Sequence, residues 1–175
     1  MINLVLHEPE IPFNTGAIGR TCVAAGARLH LIEPLGFIIG DKYLKRAGMD
    51  YWKDLDVRRY LDYEDFLAKN PGITFGGESE GAGERLWFAT TKAEQTYADV
   101  SYGPDDWIMF GKESAGIPEE ILAGHRKSCV RIPMFGDTRS LNLSNAAAVI
   151  LYEALRQNRF PGLETAGSLH RLTWS

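Results

Sequence analysis

Short apolar runs, punctuated by proline and glycine, organise the chain. Ile2–His7 reads as a buried strand, ended by Glu8-Pro9 and Ile11-Pro12. Asn14 or Thr15 can cap the next segment, where Ile18, Cys22 and Ala25 recur at helical spacing, and Gly26 stands where such a helix stops. Arg28–Glu33, RLHLIE, is β-like and ends at Pro34. A strand, a helix and a second strand in this order imply parallel pairing, because the helix carries the chain back to the starting end of the sheet. Further along, Lys42–Ala47 and Asp62–Lys69 predict short helices, the second with Asp62 near its cap. Leu86–Ala89 and Trp107–Phe110 predict two short strands, and Pro118–Leu122 a helix with proline in its first turn. Cys129–Ile132 is the last predicted strand and Leu143–Arg156 the last and longest predicted helix. The fold class is therefore α/β, a mostly parallel sheet flanked by helices. No internal repeat and no domain boundary is visible.

Composition narrows this picture. A chain of 175 residues, 45% hydrophobic, suits one domain with a substantial core. The longest apolar run, Ala146–Leu151, is far too short to span a bilayer. The N-terminus has no basic region before its apolar residues, so it reads as a first strand and not a signal peptide. Cys22 and Cys129 are isolated, which excludes a zinc spacing or a disulfide framework. A cytoplasmic protein is expected. The net charge of −4 argues against indiscriminate nucleic-acid binding, but the charge is uneven. Lys and Arg against Asp and Glu number 8 to 7 in residues 1–60, 4 to 13 in 61–120, and 7 to 3 in 121–175. A basic end of this kind permits a local anion-binding face. The stretch Gly72–Arg85, GITFGGESEGAGER, precedes a strand instead of joining a strand to a helix, so it reads as a surface loop and not a phosphate cradle.

Three turns follow predicted strands, where open α/β sheets place ligands. The first, Asn14–Arg20, brings two glycines and a cationic planar fork, Arg20, into the first half of a helix, a combination suited to phosphate or carboxylate. The second, Gly111–Pro118, contains a Gly-Lys pair. Glu113 occupies the magnesium-binding hydroxyl position of a P-loop and Asp106 that of its first glycine, so that motif fails. The third crowds Thr138, Arg139, Ser140, Asn142, Ser144 and Asn145 between a strand and an apolar helix. Asn142 or Ser144 can cap that helix, but capping explains one such residue and not six. No Gly-x-Ser-x-Gly elbow occurs, and His7, His30, His125 and His170 make no metal spacing. Trp52, Trp87 and Trp107 read as core.

Taken together, the turns resemble the signature motifs of the SPOUT methyltransferases: Asn14–Arg20 with RLHLIEP, then IMFGKESAGIP at Ile108–Pro118, then Arg131–Tyr152. Lys45–Trp52, KRAGMDYW, is similar to the small single-domain members that methylate a ribose 2′-oxygen of the wobble nucleoside in leucine tRNAs, a cytidine or modified uridine. The likeness runs to about Gly162, giving a domain over 1–162 and a tail over 163–175. Longer than expected of small members is the Gly76–Gly83 segment, and the tail has no match.

That resemblance implies a C-terminal trefoil knot, S-adenosylmethionine as methyl donor, no metal, a tRNA substrate and an obligate homodimer with a site built across subunits. Carried over by position, cofactor contact falls to Ala89, Thr90, Gly111, Glu113, Ile132, Met134, Ser140 and Asn142. Substrate contact falls to Asn14, Lys45, Arg46 and Arg139, and catalysis to Arg20 with Tyr152 as a secondary candidate. Arg20 is a poor base, with a pKa above about 12, so its expected role is to position phosphate and stabilise charge developing on oxygen. The alternatives are another tRNA position, ribosomal RNA, or a non-catalytic RNA-binding protein on the same fold. A Rossmann oxidoreductase is more distant, since no Gly-x-Gly-x-x-Gly turn is present.

Overall fold

Parallel strands carry the architecture from end to end. A computed structural model describes residues 1–39, 50–77 and 83–174. In chain order its elements begin β1 (Asn3–His7), α1 (Pro12–Ala25), β2 (Arg28–Ile32), β3 (Val57–Tyr60), α2 (Tyr63–Lys69) and β4 (Thr74–Phe75). There follow β5 (Arg85–Ala89), β6 (Trp107–Phe110), α3 (Glu119–Leu122), β7 (Cys129–Val130) and α4 (Leu143–Gln157). Strand order is β3-β2-β1-β6-β5-β4, every pair parallel. β4 pairs with the start of β5 (Phe75 with Leu86) and β7 with its end (Phe88 with Cys129), so two short strands share one edge.

Alternation along each strand builds two cores. Leu4, Leu6, Ile108 and Phe110 point to the layer containing α1 and α4, where Ile18, Cys22, Ile150 and Leu151 meet them. Val5, Leu86, Phe88, Trp107 and Met109 point the other way, against Phe66 of α2 and Leu122 of α3. Burial on both faces explains why these strands read as continuous apolar runs. Each fully buried leucine or phenylalanine contributes on the order of 2 kcal/mol. Away from the site, Asp106 is wholly buried and accepts from Arg85 Nη2 at 3.0 Å, Trp87 Nε1 at 2.8 Å and Gly103 N–H at 2.9 Å. That residue therefore fastens the starting ends of β5 and β6.

Several expectations change. α1 begins at Pro12, with Ile11 as its cap residue, so Asn14 and Thr15 lie buried inside the helix and do not cap it. Gly26 does end it, at φ 62°. Pro118 is the cap of α3 and not a first-turn residue. β7 stops at Val130, although Arg131 still bridges to Thr96. The predicted loop over Gly72–Arg85 contains a strand: Thr74 and Phe75 join the sheet, and a Cβ on Gly76 would stand 2.4 Å from the Trp87 ring. β3, sequence VRRY, was not expected; its two arginines are exposed. The predicted helix Lys42–Ala47 lies outside the described residues.

Candidate active site

The chain runs outward from β1 through β2 to β3, then crosses to build β4, β5 and β6 on the other side. β1 and β6 thus flank the switch in strand order, where open sheets leave a crevice beyond their C-terminal ends. Three loops meet there. Gly111, directly after β6, lets the second loop fold back on itself: a Cβ at this position would lie 2.1 Å from both Gly116 C and Ile117 N. Gly116, at φ 73°, completes that turn by donating its N–H to the Lys112 carbonyl at 2.9 Å.

Polar side chains tie the loops together. Glu113 Oε2 accepts from Glu10 N–H at 2.9 Å, while its Oε1 accepts from Ile11 N–H at 3.2 Å and Asn14 Nδ2 at 3.0 Å. This carboxylate sits at the N-terminus of α1, which has no side-chain cap of its own and where negative charge is favoured. In return, Glu10 accepts from Ser114 N–H at 2.9 Å and Ser114 Oγ at 2.8 Å, and these bonds hold its carboxyl below the ordinary range. Lys112 Nζ lies 2.6 Å from Glu8 Oε2, a bond that raises the Lys112 pKa. Asn14 Oδ1 accepts from Asn142 Nδ2 at 3.0 Å. Asn142 Oδ1 in turn caps α4, accepting from Ser144 N–H at 2.9 Å and Asn145 N–H at 3.4 Å. A continuous line, Glu113–Asn14–Asn142, therefore joins all three loops to the N-termini of α1 and α4.

These loops wall a cavity of about 550 Å³. All eight residues expected at a cofactor line it: Ala89, Thr90, Gly111, Glu113, Ile132, Met134, Ser140 and Asn142. Asn14 and Arg139 do so as well. Arg20 and Tyr152 do not. Arg20 falls past the middle of α1 and not in its first half, and it is exposed. Starting the helix at Pro12 moves Arg20 about two turns from the loop. Tyr152 is 44% exposed on α4. Lys45 and Arg46 lie outside the described residues. Sequence reasoning missed Thr91 and Lys92, although both directly follow β5, an end where ligand groups collect. It also missed Glu10 and Ser114, whose pairing across 104 positions leaves no local signal.

The SpoU rRNA methylase family profile matches residues 1–152. The chain belongs to this family. A family relative, the tRNA (cytidine(34)-2′-O)-methyltransferase of Escherichia coli K12, is 48% identical over 164 residues, covering 93% of this chain and 97% of the relative. The crystal structure of a Bacillus anthracis protein assigned as an RNA methyltransferase aligns with TM-score 0.83 and 42% identity, covering 94% of this chain and 98% of that one. An S-adenosylmethionine-bound rRNA methyltransferase from Sinorhizobium meliloti aligns with TM-score 0.73 and 28% identity, covering 89% of this chain and 56% of that one. The family profile thus spans all three loops of the cavity. Among the described residues, no helix is long and apolar enough to cross a membrane.

Proposed function

We propose that the chain is an S-adenosylmethionine-dependent tRNA methyltransferase acting on the ribose 2′-oxygen of the wobble nucleoside, in leucine isoacceptors, in the cytoplasm. The observation that carries this reading is the cavity closed by the three family loops at the strand switch. Its residues fit the donor. The volume is that of a small-molecule site. Phe110, Ile132, Leu141 and Ile150 offer an apolar slot for a purine ring, and Thr90, Ser140 and Asn142 supply polar groups for the ribose and amino-acid parts. When bound, S-adenosylmethionine supplies an activated methyl group. What the chain adds is alignment of that group with the acceptor oxygen.

The reading includes a homodimer. α1 exposes Phe13, Ala17, Arg20 and Ala24, and α4 exposes Asn145, Val149, Tyr152 and Arg156, each set at helical spacing on one stripe. Phe13 is 72% exposed, and with Val149 and Tyr152 it gives the two stripes an apolar share suited to a second copy. Paired through these stripes, Arg20 from one protomer meets the cavity of the other and serves the acceptor phosphate there. The reading also includes the knot. β7 lies across β5 from β6, yet α4 packs on α1, so the chain returns past the ends of β5 and β6.

Radiolabelled methyl transfer from S-adenosylmethionine to fractionated tRNA tests the proposal. Label in leucine tRNA at the wobble ribose is expected; label elsewhere, or none, overturns it. Arg20→Ala should abolish transfer while cofactor affinity, measured by calorimetry, stays within about twofold. Undiminished turnover in that variant removes Arg20 from the acceptor side.

A further inference from the structure

Phe135 is 97% exposed, the most exposed of the large hydrophobic residues described. It stands at the tip of the loop that follows β7. Both feet of that loop are built into the cavity: Met134 on one side, Arg139 and Ser140 on the other, all line it. Between them Gly136 adopts φ 61°, and Thr138 Oγ1 donates to the Phe135 carbonyl at 2.9 Å, closing the turn. The loop is thus anchored at the cofactor cavity and holds an aromatic ring in solvent at its rim. Burial elsewhere in the chain cannot account for this ring, since it has almost none. The cavity holds a methyl donor in the reading above, so the acceptor ribose has to reach its mouth. The base on that ribose then lies within a few ångströms of the mouth, and an exposed aromatic face is the surface on which any base can stack.

We infer that Phe135 is a substrate-binding residue, the platform on which the base of the acceptor nucleoside stacks, with Arg139 beside it for the adjoining phosphate. This rests on the proposed RNA ribose methylation. Arg139 is exposed at the same rim, and its fork suits a phosphate oxygen pair. Stacking tolerates any base, so Phe135 supplies affinity for a splayed nucleoside, not base identity.

Steady-state methylation of an anticodon stem–loop and of the same stem–loop made abasic at the acceptor position tests the inference. Phe135→Ala should raise KM for the intact stem–loop about tenfold, the size expected for one lost base stack. Phe135→Tyr should restore it, and Phe135→Leu, apolar without a π face, should not. On the abasic substrate, wild type and Phe135→Ala should have the same KM. Cofactor affinity, melting temperature and oligomeric mass should match wild type in every variant, as a solvent-borne side chain requires. An unchanged KM in Phe135→Ala, full rescue by Leu, or a change in oligomeric mass overturns the inference while leaving the methylation reading intact. If the wild-type chain methylates no RNA, the methylation reading fails, and this inference fails with it.

Discussion

Gly111 lets the second loop fold back on itself, and Asn142 links the third loop to the first. A methyl group on Gly111 has to occupy space 2.1 Å from two backbone atoms of the returning loop. Backbone cannot swing aside as a flexible side chain does, so the loop must open. Gly111→Ala should cost about 3 kcal/mol in urea unfolding, at the upper end for overpacking, and should eliminate S-adenosylmethionine binding by calorimetry. Wild-type affinity in that variant would show that the tight turn is dispensable. Asn142 does two separable things: its Oδ1 caps α4 and its Nδ2 reaches Asn14. Asn142→Ala should lose the cap, about 1 kcal/mol. Asn142→Asp keeps the cap acceptor and loses the donor, so it should stay near wild-type stability while cofactor affinity falls about tenfold. Wild-type affinity in Asn142→Asp, with a loss only in Asn142→Ala, would mean that only the cap matters. The identity of Asn142 as a cap was readable locally, because its partners are two and three residues away. The role of Asn14 was not. It resembles a helix cap in sequence, but it lies buried inside the helix, and its side-chain amide donates to Glu113, 99 positions on.

At the level of elements, one buried histidine links β1, β2 and β3 through two hydrogen bonds. His30 lies between Asn3 and Tyr60, with Nε2 at 3.2 Å from Asn3 Oδ1 and Nδ1 at 2.8 Å from Tyr60 Oη. Asn3 Nδ2 is engaged with the Met1 and Asp105 carbonyls, so its oxygen faces the ring and takes the Nε2 proton. Neutral histidine then accepts from the Tyr60 hydroxyl at Nδ1, and every group is satisfied. Burial, aided by the nearby Arg28 and Arg58, lowers the His30 pKa from 6.5 to about 3. Across that interval the unfolded chain binds a proton that the folded chain refuses, so stability is full above about pH 6.5 and falls as pH drops. The slope should be about 1.4 kcal/mol per pH unit, with His7, also lowered by burial, acting in the same direction. Urea unfolding at pH 7.5 and 5.0 should show a loss of about 2 kcal/mol, smaller in His30→Gln; an identical loss in the variant would assign it elsewhere. Legibility differed among these strands for a physical reason. β1 is buried on both faces and announces itself as an apolar run. β3 is an edge strand whose Arg58 and Arg59 face solvent, so its pairing depends on backbone register with β2, which leaves no pattern in VRRY.

At the scale of the whole molecule, Arg20 stands apart from the residues that line the cavity. The cavity collects residues from Ile11 to Ile150, and no periodicity could have grouped them; only the order of three motifs did. Arg20 belongs to the first motif yet lies outside the cavity, on the exposed stripe with Phe13 and Ala17. Arg20 is not among the residues that line the cavity of its own chain; in the proposed symmetric dimer through these stripes, one protomer's Arg20 would serve the other's cavity. Two consequences distinguish these cases. Phe13→Glu with Val149→Glu should yield a folded monomer by light scattering that binds S-adenosylmethionine and transfers no methyl group; activity in that monomer would refute a shared site. The second uses two inactive variants, Arg20→Ala and Met134→Trp, the latter filling the cavity. Co-expressed and allowed to assemble at random, half of the dimers are mixed, and each mixed dimer has one cavity that is open and faces an intact Arg20. Methylation should therefore return to about a quarter of wild type. If Arg20 served its own protomer's cavity, every cavity in the mixture would lack either the arginine or the donor, and no activity would return.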